Sequence, residues 1–199
     1  MKTIGIILRG FEENRKKFIG IRKDLFNSLY KYDINVMGIP INNDFKKIIN
    51  LVNLCDGIIL SGGDNFIHND FLLVEYLYKK NIPTLGICLG MQIMAKYFSK
   101  LDEVKVFNHQ SNNKYVHEII INEESLLYKI LKKDKIMVNS RHNSAIEDTS
   151  LDIVAKSNDN VIEAVEDKNK RFFVGVQWHP ESLDDINTKN LFEYFINIC

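Results

Sequence analysis

The first half of the chain alternates short apolar runs with segments of helical period, and this alternation restricts the possible folds more than any other feature of the sequence. Residues 4–8, Ile-Gly-Ile-Ile-Leu, read as a buried strand, and Phe18, Ile21, Leu25 and Leu29 recur at helical spacing through residues 15–31. Residues 34–39 read as a second strand closed by Pro40, 45–51 as a short helix, and 56–60 as a third strand. A helix over 71–80, a strand over 84–87 and a helix over 91–98 complete the series. Strands that alternate with helices predict an α/β fold, a mostly parallel sheet with helices on both faces. After residue 100 the pattern changes. Residues 104–107, 115–121, 135–139, 151–157, 161–166 and 171–178 are strand-like with one short helix among them at 124–131, so antiparallel strands are expected to extend the sheet. A last helix over 186–198 places Ile186, Leu191, Phe195 and Ile198 on one face. With 199 residues, 45% of them apolar, the expectation is a single domain over 1–199.

In such a sheet ligands bind beyond the carboxyl ends of the strands, and two features fall there. The first is Gly86-Ile87-Cys88-Leu89-Gly90, with Cys88 at the join of strand and helix. This is the cysteine counterpart of the Gly-x-Ser-x-Gly elbow, in which a strained turn presents a nucleophile at a helix N-terminus. The helix dipole there favours thiolate, and the N–H of Leu89 is placed to receive an oxyanion. The plainer reading is a small buried cysteine between two turn glycines. The second feature is Gly62-Gly63, within a loop, Ser61 to Asn65, whose residues tolerate positive φ. It is read either as a tight turn or as backbone N–H groups brought close to the nucleophile.

Near the C-terminus, Val174-Gly175-Val176-Gln177-Trp178 is an apolar strand running into His179-Pro180-Glu181. Residues two apart on an extended chain point the same way, and a carboxylate beside an imidazole fixes its tautomer. Cys88, His179 and Glu181 are therefore candidates for nucleophile, base and orienting acid. His68, His109 and His117 have no metal-ligand spacing and read as surface residues, Cys55 as core and Cys199 as a terminal bystander. Lysine and arginine number 26, as do aspartate and glutamate, so charge gives no general argument for nucleic acid or an anionic membrane. Three widely spaced cysteines form no disulfide framework, and the N-terminal apolar run is too short to span a membrane, so a reducing cytoplasm is the expected location.

The segments Gly86-Ile87-Cys88-Leu89-Gly90-Met91-Gln92 and Gly175-Val176-Gln177-Trp178-His179-Pro180-Glu181, in that order, closely resemble the class I (triad) glutamine amidotransferase family, over essentially the whole chain. The resemblance implies a flavodoxin-like α/β sheet and the roles of nucleophile for Cys88, base and acid for His179, and orienting partner for Glu181. It implies an oxyanion hole from Leu89 and Gly63, with Gly62 beside it, and a glutamyl-binding role for Gln92. The implied reaction cleaves a γ-glutamyl amide through a thioester and releases L-glutamate, with no metal or organic cofactor.

Two branches compete. One is an ammonia-supplying subunit that serves a separate synthase partner, and the other is a free-standing hydrolase acting on a small-molecule γ-glutamyl conjugate. The segment Asn139-Ser140-Arg141-His142 is similar to the Asn-Ser-x-His segment of γ-glutamyl-γ-aminobutyrate hydrolase-like proteins, which places all four residues near the glutamyl group. Trp178 before His179 also fits that branch. Arg141 in place of an apolar residue and Asn143 in place of a second histidine depart from it. A guanidinium there suits an anionic leaving group, or else pairs with a nearby carboxylate. Length, composition and Arg141 together resemble the hydrolases of γ-glutamyl-CDP-amidate in capsule polysaccharide modification. Residues 105–114 read as either a lid or a connector.

Overall fold

Residues 4–7 of the first apolar run are buried because strands flank them and helices cover both faces of the sheet. The computed structural model describes residues 1–99, 103–106 and 108–199. In the first half, β1 (Lys2–Glu13), β2 (Lys16–Gly20), α1 (Lys23–Leu29), β3 (Ile34–Pro40), α2 (Phe45–Val52), β4 (Gly57–Leu60), α3 (His68–Lys80), β5 (Thr84–Ile87) and α4 (Leu89–Tyr97) follow in order. The second half holds β6 (Glu103–Lys105), β7 (His117–Ile121), α5 (Leu126–Leu131), β8 (Lys135–Val138), β9 (Ser144–Ile146), β10 (Asp152–Ser157), β11 (Ile162–Glu166), β12 (Phe173–Val176), a 3₁₀ turn (Pro180–Ser182) and α6 (Ile186–Ile198). Phe107, the end of one expected strand, lies outside the described residues.

Strands β3, β1, β4, β5 and β12 are parallel neighbours in that order, and β11, β10, β7 and β8 continue the sheet in antiparallel fashion. This is the α/β architecture expected. Alternate residues of the central strands feed opposite faces. Ile4, Ile6, Ile59, Leu85, Ile87, Val174 and Val176 pack with α1, α5 and α6, whereas Ile7, Ile58, Leu60 and Phe173 pack with α2, α3 and α4. Phe192 and Phe195 of α6 are fully buried, each worth about 1.5–3 kcal/mol relative to exposure. Ile186 does not join them. It is 55% exposed, and Asp185 before it caps the helix by accepting the Thr188 N–H, so the buried face begins one turn later.

The largest departure from expectation is at residues 15–31. Instead of one helix, residues 16–20 are a strand and only Lys23–Leu29 is helical. Strand β1 runs beyond the sheet to Glu13 and turns back through Asn14 (φ 51°) and Arg15 (φ 61°) to pair Glu13 with Lys16. Positive φ at both central residues is the type I′ hairpin geometry, which matches the twist of the paired arms. Phe11 and Phe18 stack on this hairpin with ring centroids 5.4 Å apart, and both stay about half exposed. Phe18 belongs to the hairpin and does not start a helical stripe.

Candidate active site

The carboxyl ends of β1, β4, β5 and β12 open into a cleft of about 420 Å³, lined by Arg9, Gly62, Gly63, Cys88, Arg141 and His179, with Phe11 and Gly20 of the hairpin at its rim. Cys88 sits between β5 and α4 with φ 52° and ψ −108°, a conformation that costs a non-glycine residue about 1–3 kcal/mol. Surrounding contacts enforce it. The Cys88 N–H donates to the Val176 carbonyl (2.8 Å), and the Cys88 carbonyl accepts the Gln92 N–H (3.0 Å) as the first helical bond. A Cβ at Gly90 would collide with the Leu60 carbonyl oxygen, and one at Gly86 would meet the Met91 nitrogen at 2.8 Å. These glycines let α4 lie against the sheet. None of the glycines has positive φ, so Gly62-Gly63 supplies close approach and not left-handed backbone. A Cβ at Gly62 would lie 2.9 Å from the His179 ring, and one at Gly63 would press on the Arg9 stem at 3.0 Å.

Because β12 pairs with β5 in parallel, with Val176 opposite Ile87, the chain past β12 returns to the elbow. His179 and Glu181 meet there, but not by continued extension. The chain turns at Pro180–Ser182, and that turn brings His179 Nδ1 to 2.7 Å from Glu181 Oε1. Asn139 clamps the His179 backbone on both sides, accepting its N–H at 2.8 Å and donating to its carbonyl at 2.7 Å. Burial of His179 opposes its charged form, but the Glu181 charge and hydrogen bonds to Cys88 and Glu181 prevail and raise its pKa to about 10. The site thus holds an imidazolium next to the sulfur at neutral pH, the environment that activates a cysteine.

The other expected site residues divide. Gly62, Gly63 and Arg141 line the cleft, and Leu89 opens α4 directly after Cys88. Gln92, Asn139, Ser140 and His142 are buried and do not line it. Gln92 Nε2 donates to the Ser144 carbonyl (2.8 Å) and to Gln177 Oε1 (3.1 Å), and Gln177 Nε2 in turn lies 3.6 Å from Cys88 Sγ. Ser140 donates to the His109 carbonyl (2.6 Å), and His142 Nδ1 faces the Ser144 carbonyl (3.0 Å). Gln92, Asn139, Ser140 and His142, expected near the substrate, thus stand behind the cleft wall, where protein groups hold at least one polar atom of each. Among the described residues, Arg141 pairs with no carboxylate; its Nη1 donates to Ser182 Oγ at 3.0 Å.

Sequence reasoning missed Arg9 and Arg22, which line the cleft, and Gln177 beside the sulfur. Arg9 is buried and paired with Asp70, while its Nε and Nη2 have no partner among the described residues. Its place directly after the apolar run 4–8, within β1, was the available signal. The reading of His109 and His117 as surface residues is overturned. His109 is buried, His117 is half-buried, and both face the buried carboxylate of Glu163. His68 is exposed as expected.

A strained cysteine, an imidazole held by a carboxylate and an adjacent cleft define a cysteine-dependent hydrolase of acyl compounds. The glutamine amidotransferase class-I family matches residues 17–198, and the chain belongs to that family, whose domain carries cysteine-dependent hydrolysis of glutamine-type amides. A glutamine amidotransferase-like protein of Rickettsia prowazekii is 28% identical over 85% of this chain and 92% of its own length. The glutamine-hydrolysing GMP synthase of Francisella tularensis subsp. novicida is 35% identical over 72% of this chain, and the match spans 28% of that relative's length. Among solved structures, a GMP synthase subunit from Thermoplasma acidophilum superposes with a TM-score of 0.77 at 22% identity, covering 100% of this chain and 94% of that one. The glutaminase domain of Trypanosoma brucei CTPS with bound acivicin gives 0.73 at 18% identity, covering 99% and 94%. These two likenesses establish the fold. Among the described residues, no helix is long and apolar enough to cross a membrane.

Proposed function

We propose that the protein is a free-standing γ-glutamyl hydrolase whose substrate carries an anionic group beyond the glutamyl amide. The observation that carries this reading is the set of guanidinium groups in the cleft: Arg9, Arg22 and Arg141 line it with the acid Asp64, while Arg9 also pairs with Asp70 and Arg22 with Asp24 outside the lining. Arg9 also presents two buried N–H positions without a described protein partner, and a carboxylate or phosphate entering the cleft satisfies them. One guanidinium suffices for the α-carboxylate of a glutamyl group, which leaves guanidinium donors, Arg141 among them, for the leaving portion. The stacked Phe11–Phe18 pair at the rim offers a flat apolar surface on which a nucleobase can lie. γ-Glutamyl-CDP-amidate has all three features, and we take it as the particular substrate, with CDP-amidate and L-glutamate as products.

The Cys88 thiolate attacks the γ-carbonyl carbon, and the N–H groups of Leu89 and Gly63 receive the oxyanion. Collapse breaks the C–N bond while imidazolium His179 gives its proton to the departing nitrogen. His179, now neutral, takes a proton from water as the oxygen attacks the thioester, and Cys88 leaves as thiolate with glutamate released. Glu181 and the Asn139 clamp hold the imidazole through both steps. Gln177 Nε2 donates toward the sulfur from 3.6 Å.

The likeness to GMP synthases favours a second reading, a glutaminase subunit that supplies ammonia to a synthase partner. γ-Glutamyl-γ-aminobutyrate is the third candidate. Glutamate release by the purified protein alone, from glutamine, γ-glutamyl-γ-aminobutyrate and γ-glutamyl-CDP-amidate, separates them, with Cys88→Ala as control. A preference of about a hundredfold or more in kcat/KM for the nucleotide conjugate, worth about 2.7 kcal/mol of transition-state binding, is expected. Slow turnover of all three defeats the free-standing reading, and a preference for the aminobutyrate conjugate moves the leaving group.

A further inference from the structure

We propose that His109, His117, His142 and Glu163 hold a structural divalent transition metal, best matched by zinc, in a closed site behind the catalytic cleft. The four residues come from separate parts of the chain. His109 lies in the connector before β7, His117 opens β7, His142 follows β8, and Glu163 sits in β11. Three imidazole nitrogens converge on one carboxylate oxygen. Glu163 Oε1 is 3.0 Å from His117 Nε2, 3.5 Å from His109 Nδ1 and 3.8 Å from His142 Nε2. Donor atoms set tetrahedrally about 2.0–2.2 Å from a zinc ion lie about 3.3–3.6 Å from one another. The ligand atoms of His109, His117 and Glu163 already lie within 4.8 Å of one another, and His142 Nε2, 3.8 Å from Glu163 Oε1, would move in as the fourth.

The hydrogen bonding around the cluster points the same way. His142 Nδ1 faces the Ser144 carbonyl at 3.0 Å, which accepts only a donor, so in the neutral ring Nε2 carries a bare lone pair. That lone pair faces a carboxylate oxygen, another acceptor, in a buried setting, and among the described residues His142 Nε2 and Glu163 Oε2 are both without a hydrogen-bond partner. A cation between them resolves the conflict. His109 shows the matching outer arrangement, with Nε2 at 3.0 Å from Asp159 Oδ2 while Nδ1 turns inward. A carboxylate or a backbone carbonyl on the far nitrogen is how metal-ligating histidines are oriented. Three imidazoles and one carboxylate suit zinc and its neighbours, whereas magnesium and calcium demand oxygen ligands.

Glu163 is fully buried, His109 and His142 nearly so, and His117 is largely buried; four protein ligands would fill a tetrahedral zinc and leave no open position for a substrate. Neither Cys88 nor His179 belongs to the cluster, so the ion plays no chemical part. It would act as a staple, fixing the 139–144 segment that carries the Asn139 clamp and Arg141. The Glu163 backbone carbonyl also accepts the Gln177 N–H at 2.8 Å, which ties the site to the strand that leads to His179.

The test is zinc uptake by the full chain after exhaustive treatment with chelator, followed by elemental analysis and competition titration. About one tightly held zinc per chain is expected. Glu163→Gln and His142→Gln are expected to weaken binding by more than about tenfold, while Cys88→Ala leaves it unchanged. The cobalt-substituted wild type is expected to show tetrahedral visible bands without sulfur-to-cobalt charge transfer, a readout that does not depend on how the variants fold. No stoichiometric uptake by the wild type overturns the proposal. So does uptake that Glu163→Gln and His142→Gln leave unchanged, and so does a charge-transfer band that places the ion on a cysteine.

Discussion

At the scale of single residues, the three cysteines differ in what their surroundings do to a thiol. Burial pushes the Cys55 thiol up to about 11 and the Cys199 thiol up to about 12, so at pH 7 no more than roughly one Cys55 in ten thousand is thiolate. Cys88 instead shares a hydrogen bond with an imidazole whose own pKa lies well above neutrality. Iodoacetamide at pH 7 should therefore place one adduct per chain, on Cys88, read by peptide mass spectrometry. A raised thiol pKa means protection below it, so a second adduct should grow in only as the pH approaches about 11. His179→Gln should slow the Cys88 reaction at pH 7 by about tenfold or more, because the imidazolium is gone. Equal labelling of Cys55 at pH 7, or labelling of Cys88 indifferent to His179, would sink this account. Cys88, His179 and Glu181, the proposed triad, were legible in the sequence because each lies in a short motif whose spacing encodes a turn. Arg9, Gln177 and Glu163 were not, since what makes them notable is a neighbour 50 to 90 positions away, such as Asp70, Cys88 or His109.

Elements could be read from periodicity wherever burial alone dictates it. Strands β4 and β5 are covered on both faces, so they appear as unbroken apolar runs, and both were found within a residue of their ends. The β1–β2 hairpin could not be found this way. Its turn is Asn14-Arg15 and carries no glycine, its aromatic residues are half exposed, and Phe18 falls by chance in register with the stripe of α1. The elbow shows the opposite case, where packing explains the sequence. Gly90→Ala should lower Tm, since its Cβ would strike the Leu60 carbonyl oxygen and force α4 from the sheet. Overpacking of this kind costs about 1–3 kcal/mol, and each kcal/mol lowers Tm by about 2–4 °C in a chain of this length. Activity should fall further than stability, because the shift carries Cys88 with it. Gly10→Ala in the hairpin is the control: its Cβ would meet nothing nearer than 3.9 Å, and Tm should move by less than about 2 °C. A Gly90→Ala protein that melts like the wild type would show that α4 has room that the geometry denies.

At the scale of the whole molecule, Cys88 and His179, the proposed nucleophile and base, lie in different halves of the sequence yet at the ends of adjacent central strands. β5 carries Cys88, β12 leads to His179, and four registered pairs from Phe173 opposite Thr84 to Val176 opposite Ile87 join them. The apolar layers on the two faces are equally mixed. One contains Ile4, Ile6 and Leu25 with Val174, Phe192 and Phe195, and the other contains Ile7, Leu73 and Met94 with Val165 and Phe173. Neither half can bury its apolar residues without the other, so the 1–199 chain is expected to unfold as one cooperative unit. Far-ultraviolet circular dichroism reports the sheet and helices, Trp178 fluorescence reports a buried site beside His179, and hydrolytic activity reports the cleft. In urea the three midpoints should coincide. Activity lost well before the other two would mean that the cleft loops open on their own, and the case for a metal staple under residues 139–144 would then be tested directly, since added zinc should bring the midpoints back together. A separation between circular dichroism and Trp178 fluorescence would instead divide the chain into two folding units and break the link between strand pairing and catalytic geometry on which this account of the site depends.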